Sequence, residues 1–323
     1  MKQLLKEIGL AVILGFLVPG IILHGLVTVG SLTEKTHEET EIVFFTQPAE
    51  EIRVISVLNH EQEVVTLDLE NYIIGVVLAE MPASFESEAL KAQSVVARTY
   101  AIRSDSGGGK HDTAAVCMES SCCQSFVWPD DYLRQGGTQE SVAKVTDAVN
   151  GTQGQVLTYD GELIEATYFS CSGGTTEDAV AVWGTEVPYL VATASPGEEG
   201  ATHYEDAVSM PVSEFLRLLE LESDRTADSL FGDVTYTAGG GIAEIDICSR
   251  TYTGTQLRSL LNLKSTAITF ETVGDEIQIR TRGYGHRVGM SQYGADAMAL
   301  AGSSYLEILA HYYRGTSLEK LPD

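Results

Sequence analysis

The stretch LENYIIGVVLAEMPASFESEALKAQSVVARTYAI, residues 69–102, predicts two consecutive helices and is the clearest structural signal in the chain. Asp68 precedes the stretch and can cap the first helix with its side chain. The dipeptide Met81-Pro82 ends that helix, because a residue before proline avoids helical geometry. The second helix is predicted over residues 86–102.

Glu80 lies on the apolar face of the first predicted helix, at its C-terminal end. A carboxyl group there is partly removed from water and faces the negative end of the helix dipole, and both effects raise its pKa. A glutamate with a raised pKa can act as a general acid near neutral pH. The same position suits an ordinary glutamate that forms an ion pair at a helix end, and spacing alone leaves both interpretations open. The apolar face is formed by Leu69, Ile73, Val76 and Val77.

A polar stripe runs along the second predicted helix. Lys91, Ser94 and Arg98 are spaced so that they lie on one helical face. Two basic side chains on that face could turn towards a binding cleft, where they would tune the pKa of Glu80 or bind an acidic group of a substrate. A face exposed to solvent is the alternative.

Further elements extend outward from the two helices. Residues 52–58 and 63–67 alternate as paired strands do, residues 104–110 are typical of a flexible loop, and residues 209–222 and 291–313 favour helix. Helices and strands without regular alternation predict an α+β fold, in one domain that could comprise two subdomains. Additional strands are predicted within residues 154–168, 242–247 and 267–279.

The N-terminal segment has the composition of a membrane anchor. Residues 8–33 contain no charged side chain, and residues 8–29 are long enough to cross a bilayer as a helix. Lys2 and Lys6 precede this segment and acidic residues follow it, which predicts a cytoplasmic N-terminus. A cleaved secretory signal is the alternative. We therefore expect a single-pass cell-membrane protein with residues 1–33 as cytoplasmic N-terminus and transmembrane anchor, 34–50 as linker and 51–323 as extracytoplasmic domain.

The formal net charge of −26 excludes some classes of function. A chain with this charge repels nucleic acid phosphates and anionic membrane surfaces. A nucleic-acid partner is therefore not expected.

A cluster of cysteine and histidine residues follows the second helix. Five residues separate His111 from Cys117, five separate Cys117 from Cys123, and Cys122 offers a further ligand. Thiolate and imidazole groups in one short loop are typical ligands of zinc, so His111, Cys117 and Cys123 predict one zinc ion with a structural role. Cys122, water or another group would be the fourth ligand. A disulfide that involves Cys171 is the alternative, and a water-activating metal is a lesser one.

Three further motifs accompany residues 69–102: YFSCSGGTTED at 168–178, GYGHRVGMSQYGADAMA at 283–299 and SYLEILAHYYRGT at 304–316. Together these stretches closely resemble the stage II sporulation protein D family of endospore-forming bacteria, over nearly all of residues 50–318. A related domain occurs in amidase-enhancer proteins of the cell wall.

The resemblance implies a membrane-anchored lytic transglycosylase that degrades peptidoglycan during forespore engulfment. Such enzymes cleave between N-acetylmuramic acid and N-acetylglucosamine and leave a 1,6-anhydro product without using water. The family also implies a partner cell-wall amidase, which removes peptide stems, and a multi-spanning membrane protein that recruits both to the septum.

The resemblance also implies roles for particular residues. The catalytic glutamate of the family corresponds to Glu80. One departure is Arg287, which stands where the family commonly has glycine and which puts the local loop, and the role of the preceding histidine, in doubt. The implied substrate-binding residues are Lys91 and Arg98 in the second helix and Tyr168, Ser170, His286, Ser291 and Gln292 in two glycine-rich segments.

Two other functions remain open from the sequence. A non-catalytic glycan-binding scaffold would grip the sugar while a partner amidase does the chemistry. A zinc-dependent hydrolase would use water and leave reducing ends.

Overall fold

The computed structural model describes residues 53–222 and 229–322, and their mixture of helices and strands confirms that part of the predicted fold class. The helices are α1 Leu69–Glu80, α2 Ser87–Arg103, α3 Pro129–Arg134, α4 Gln139–Asn150, α5 Ala179–Trp183, α6 Val212–Leu218, α7 Gly254–Leu260, α8 Gln292–Leu300 and α9 Tyr305–Tyr312. The strands are β1 Val54–Leu58, β2 Val64–Asp68, β3 Val116–Cys117, β4 Gln155–Tyr159, β5 Glu162–Leu163, β6 Tyr168–Phe169, β7 Glu205–Pro211, β8 Phe231–Tyr236, β9 Ile242–Ile247, β10 Arg250–Tyr252, β11 Ala267–Val273, β12 Glu276–Arg282, β13 Met290–Ser291 and β14 Ser317–Lys320.

Helices α1 and α2 form the centre of the larger hydrophobic core. Helix α1 begins as predicted, because the Asp68 carboxylate accepts a hydrogen bond from the Asn71 backbone N–H at 2.8 Å. From Tyr72 to Leu78 every residue of α1 is buried, so the helix is enclosed on all sides. Helix α2 is buried almost as completely. Its end differs from the prediction, since Ser104–Gly108 forms a π-helical turn in place of a loop.

Two short parallel pairings bring distant motifs together. Strand β3 lies beside β1 with Cys117 opposite Leu58, so the first cysteine of the cluster is anchored to the sheet. Strands β6 and β13 lie side by side with Tyr168 opposite Met290. The two glycine-rich segments of the sequence therefore meet, and the second of them leads directly into helix α8.

A second hydrophobic core lies in the later part of the chain. It contains helices α6 and α7 and two antiparallel three-stranded sheets, ordered β11-β12-β7 and β10-β9-β8. Here two predictions need correction. The predicted helix over 209–222 begins only at Val212, because residues 205–211 pair with β12, and the predicted strand over 267–279 is a hairpin of β11 and β12.

In the described ranges, no helix has the length and apolar composition needed to cross a membrane. The predicted anchor, residues 8–29, lies outside those ranges.

Candidate active site

Glu80 is the last residue of α1, and its carboxyl group is half-buried. Its Oε1 accepts a hydrogen bond from the backbone N–H of Ser125 at 2.6 Å. Burial raises the pKa of Glu80, while the hydrogen bond from Ser125 and the nearby polar groups of Tyr168 and Gln292 offset part of that rise. These surrounding groups are neutral. The site therefore contains one carboxyl group that is poised to hold a proton and is still open to solvent on one side.

A chain of hydrogen bonds fixes the side chain of Tyr168 beside Glu80. The buried Tyr72 hydroxyl donates to the Gln124 Oε1 at 3.3 Å, and the Gln124 Nε2 donates to the Tyr168 hydroxyl oxygen at 3.2 Å. Burial and the nearby Glu80 charge raise the pKa of Tyr168 well above its usual range. Tyr168 therefore keeps its proton and can donate it in a hydrogen bond to the Glu80 carboxylate.

Gln292 reaches the same carboxyl from the other glycine-rich segment. It is the first residue of α8, it is 6% exposed, and its amide lies close enough to Glu80 to lower the pKa of that carboxyl. Within the described residues, the Gln292 Nε2 has no hydrogen-bond partner. A buried amide without a partner costs free energy unless a ligand or water satisfies it, so this N–H group is available to a substrate.

The segment that carries Gln124 and Ser125 packs directly on α1. The Phe126 ring stacks on Tyr72 with centroids 5.7 Å apart, and the Val127 N–H donates to the Gly75 carbonyl at 3.2 Å. A Cβ on Gly75 would lie 2.2 Å from the Phe126 ring. Glycine at position 75 is thus required for the close approach that delivers Ser125 to Glu80.

The cysteine and histidine cluster lies immediately before that segment. The ligand atoms of all four residues lie within 4.8 Å of one another, so the cluster could hold a metal ion. A tetrahedral ion bound at about 2.3 Å by sulfur and about 2.0 Å by nitrogen needs ligand atoms about 3.5–3.8 Å apart. The His111 Nε2 is 3.5 Å from the Cys122 Sγ and 3.4 Å from the Cys123 Sγ, and the two sulfurs are 3.9 Å apart. These three distances agree with a tetrahedral site, and Cys117 completes a set of four residues that could hold the ion.

The disulfide alternative has no counterpart in this geometry. All five cysteines are free. Cys171 lies elsewhere, where its thiol donates to the Glu198 carboxylate at 3.2 Å.

The cluster is connected to the Glu80 site through the chain and through one side chain. Cys123 is followed directly by Gln124 and Ser125, which contact Tyr168 and Glu80. Tyr100 on α2 lies close to Cys123: burial, and then the neighbouring Cys123 thiol, raise the pKa of the Tyr100 hydroxyl. An ion in the cluster would therefore fix the segment that orients the carboxyl group of Glu80.

The structure places Arg98 away from any cleft, which corrects its predicted role in substrate binding. Arg98 is 0% exposed and forms an ion pair with Glu70, with 2.5 Å between Nη2 and Oε2. It also donates to the carbonyls of Val149 and Gln155. Helix α2 is buried on both sides, so the part of the polar stripe that carries Arg98 packs against α4 and β4 and does not face solvent. Arg98 is a structural residue in this arrangement.

Lys91, Ser170 and Ser291 make contacts other than the predicted ones. Lys91 forms an ion pair with Glu88 at 2.6 Å. Ser291 is fully buried and caps α8, accepting a hydrogen bond from Gly294, and its own hydroxyl donates to the Ser170 carbonyl at 3.4 Å. The contact between Ser291 and Ser170 holds the two glycine-rich segments together, and none of these contacts includes Glu80.

His286 lies in an aromatic environment. Its ring contacts Phe169 and Trp183 at centroid distances of 5.6 and 5.5 Å, and its Nδ1 accepts a hydrogen bond from Val288 at 3.1 Å. Burial, with a smaller effect of the Arg258 charge, lowers the pKa of His286 to about 4. The imidazole is therefore neutral near pH 7, and none of these contacts joins it to Glu80.

Arg287 resolves the departure noted in the sequence. It adopts a left-handed backbone with φ of 66°, the conformation for which glycine is favoured. Its buried guanidinium forms an ion pair with Glu177 at 3.1 Å and donates to the carbonyls of Ser172 and Gly239. Arginine therefore keeps the backbone shape of the loop and adds a link to the β8–β9 hairpin.

Sequence reasoning missed Tyr72, Gln124 and Ser125. Tyr72 was visible only as part of a buried helix, and the other two lie in a segment without helical or strand periodicity. Their position directly after the cysteine pair is the one signal that could have indicated them, because a metal loop fixes the residues that follow it.

Comparison with known proteins agrees with the resemblance seen in the motifs. The profile of the stage II sporulation protein family matches residues 58–159. The chain is 37% identical to stage II sporulation protein D of Bacillus subtilis (strain 168) over 264 residues, which are 80% of this chain and 76% of that protein. It is also 37% identical to the protein of the same name from Bacillus amyloliquefaciens, over 81% of this chain and 76% of that protein.

A relative with a different name is the amidase enhancer of Bacillus subtilis (strain 168). It is 30% identical over 76% of this chain and 40% of its own length. The two stage II sporulation protein D relatives exceed 30% identity over most of both chains. This chain therefore belongs to the stage II sporulation protein D family, a family connected with sporulation.

Proposed function

We propose that this protein is a lytic transglycosylase that cleaves peptidoglycan glycan strands between N-acetylmuramic acid and N-acetylglucosamine during sporulation. One observation carries the proposal. Glu80 is a half-buried carboxyl group with a raised pKa, surrounded by the neutral groups of Ser125, Tyr168 and Gln292. A hydrolase of the usual kind needs a second carboxylate to act as nucleophile or to activate water, whereas transglycosylation needs one.

In the proposed mechanism, Glu80 acts twice. Its protonated form donates a proton to the bridging oxygen, and the bond between that oxygen and the anomeric carbon of the muramic acid breaks. The 6-hydroxyl of the same sugar then bonds to the anomeric carbon, and the Glu80 carboxylate takes the hydroxyl proton. The carboxyl group is thereby restored, no water is consumed, and the product carries a 1,6-anhydro ring.

The neighbours of Glu80 serve both stages. Hydrogen bonds from the Ser125 N–H and the Tyr168 hydroxyl stabilise the carboxylate after it has lost its proton. Burial works in the opposite direction and favours the protonated form. The balance keeps the pKa above its ordinary value, which suits a group that must give a proton and then take one.

We propose zinc as the ion held by His111, Cys117, Cys122 and Cys123. Zinc is borderline-soft and takes tetrahedral sites of thiolate and imidazole ligands. With four protein ligands the site has no open position, so bound zinc would supply a rigid crosslink and no activated water. Its effect on catalysis would pass through Gln124 and Ser125, which it would hold against α1.

The test of the proposed function is digestion of glycan strands freed of peptide stems by purified protein and by the variant Glu80→Gln. The wild type is expected to release fragments with 1,6-anhydro ends, and the variant is expected to lose cleavage while its melting temperature is unchanged. Near-normal turnover by Glu80→Gln would refute the assignment. Products with reducing ends would indicate a hydrolase.

A second candidate function is a glycan-binding scaffold that stimulates an amidase. The relative named amidase enhancer favours it. In that case Glu80→Gln would stimulate a cell-wall amidase as well as the wild type does, and neither protein would cut a strand alone. A raised carboxyl pKa suits proton transfer, which a glycan-binding scaffold does not need, and for this reason we favour the enzyme.

We also propose that residues 1–33 anchor the protein in the cell membrane with residues 51–323 outside the cytoplasm. The uncharged segment 8–29 supports this location. A partner amidase and a multi-spanning membrane recruiter are proposed from the family resemblance. Recovery of the full chain in the membrane fraction after alkaline washing would support the anchor, and release by the wash would contradict it.

A further inference from the structure

A cavity of about 670 Å³ lies beside the second hydrophobic core, among residues that the catalytic proposal does not use. Strands β7, β11 and β12 and the end of β8 surround it. We call it the arginine cavity. The side chains that matter for its chemistry are Arg280, Arg282, Glu205 and Tyr236.

The two arginine side chains lie on the same face of the sheet. Arg280 and Arg282 alternate along β12, and residues two apart on a strand share a face. The register places Ala207 and Thr269 on either side of Arg280, and Ala267 and Glu205 on either side of Arg282. Because alanine side chains are short, they leave open space beside the two guanidinium groups.

The two guanidinium groups are weakly paired. Arg282 makes no ion pair with any residue of the described ranges, and Arg280 lies 3.8 Å from the Glu271 carboxylate with both side chains more than half exposed. An exposed ion pair of this kind contributes little. Both groups are therefore available to a ligand, in a chain whose acidic residues outnumber its basic ones by more than two to one.

The remaining side chains suit a sugar. Tyr236 is 58% exposed, and an exposed aromatic ring offers a flat apolar surface to the face of a sugar ring. The Glu205 carboxylate accepts hydrogen bonds from hydroxyl and amide groups. A guanidinium group binds a carboxylate through two parallel hydrogen bonds. The combination matches a saccharide that carries hydroxyl groups and one carboxylate.

We propose that the arginine cavity binds a carboxylate-bearing sugar of the glycan strand, apart from the bond that is cut at Glu80. This inference rests on the proposed function, since it takes the glycan as substrate. The chain runs from Arg282 through residues 283–291 directly into Gln292 beside Glu80. A strand held in the cavity would thus be bound by the same continuous segment that contributes to the catalytic site.

Binding is tested by titration calorimetry in the Glu80→Gln background, which stops turnover. The probes are a peptide-free tetrasaccharide containing muramic acid, chitotetraose, which lacks the lactyl carboxylate, and inorganic phosphate. The double change Arg280→Gln with Arg282→Gln is expected to weaken tetrasaccharide binding by about tenfold or more and to leave chitotetraose binding unchanged. The matched control is Arg217→Gln, which changes an exposed arginine of α6 that pairs with Glu214 at 3.9 Å.

Several results would overturn the inference. One is equal tetrasaccharide affinity in the double variant and in the parent. Another is an equal loss of tetrasaccharide affinity in Arg217→Gln, or an equal loss of chitotetraose affinity in the double variant. The last is phosphate that binds the cavity as tightly as the tetrasaccharide and displaces it. In the active protein, the double variant is expected to raise KM on long strands with kcat unchanged. Unaltered melting temperatures would confirm that folding is intact.

The inference and the proposed function fail separately. If Glu80→Gln cut strands normally, the catalytic assignment would fall while the binding difference between tetrasaccharide and chitotetraose could persist. If the binding difference were missing and Glu80→Gln were inactive, the cavity would fall alone.

Discussion

Replacing Arg98 with methionine is expected to damage the fold far more than the chemistry. Methionine keeps most of the volume of the buried side chain but removes its charge and all of its donors. The Glu70 carboxylate, whose side chain is only 16% exposed, would lose its ion pair, and the carbonyls of Val149 and Gln155 would lose a donor. Breaking a buried pair by removing one partner costs about 3–5 kcal/mol. In a domain of this size, that loss lowers the melting temperature by roughly 6–20 °C.

The assay is thermal unfolding together with strand cleavage well below the melting temperature. Arg98→Met with Glu70→Leu is the compensating variant, because it removes the unpaired carboxylate, and it is expected to recover part of the lost stability. Arg98→Lys is expected to fall between the wild type and Arg98→Met, since lysine keeps the charge but not the two-pronged contact. If Arg98→Met kept its melting temperature and lost activity, our placement of Arg98 would be wrong, and it would belong to the cleft.

Three further predictions concern the Glu80 site. Tyr168→Phe removes a hydrogen bond that lowers the pKa of Glu80, so the pKa of Glu80 should rise. In a pH profile of cleavage, the alkaline decline, where Glu80 loses its proton, should therefore move to higher pH. An alkaline decline at the same or a lower pH would contradict this. Cys123→Ser should lose about one zinc per chain, measured by elemental analysis, and should have a lower melting temperature and less cleavage activity, whereas Cys248→Ser should keep the metal. Equal metal content in the two variants would exclude the cluster as the zinc site. Gly75→Ala should cost about 1–3 kcal/mol of stability and most of the activity, because its Cβ would meet Phe126, while Gly200→Ala, which meets nothing within 4 Å, should do neither; equal effects in unfolding and cleavage assays would refute the argument.

The first helix shows what sequence could predict. Asp68, the apolar run and Met81-Pro82 are local signals, and the structure has the helix with its cap and its end where they indicate. Placement of Glu80 at the end of a buried face follows from the same periodicity. The raised pKa then follows from burial, which the pattern of neighbouring residues already implied.

The second helix shows why other predictions were wrong. A polar stripe on a helix indicates a face exposed to water or to a binding site only when the opposite, apolar face is the one that is buried. Here both sides are buried, and Glu70, which pairs with Arg98, comes from the preceding helix. That contact depends on tertiary packing, and helical spacing within residues 87–103 contains no information about it.

Loops set the other limit of prediction. Ser125 reaches Glu80 because Phe126 stacks on Tyr72 and because Gly75 allows the approach. These contacts leave no helical or strand periodicity in the sequence that could have predicted them. The strand over residues 205–211 was missed for a related reason, since it is an edge strand with five exposed residues and lacks the alternation of a half-buried one.

The most direct test of the central claim is cleavage of peptide-free glycan strands in water enriched in oxygen-18, with the new ends analysed by mass spectrometry. If Glu80 uses the 6-hydroxyl of the muramic acid, the new ends should be 1,6-anhydro sugars with no label, and Glu80→Gln should form none of them. New reducing ends that carry oxygen-18 would show that water attacks the bond, and they would contradict the account.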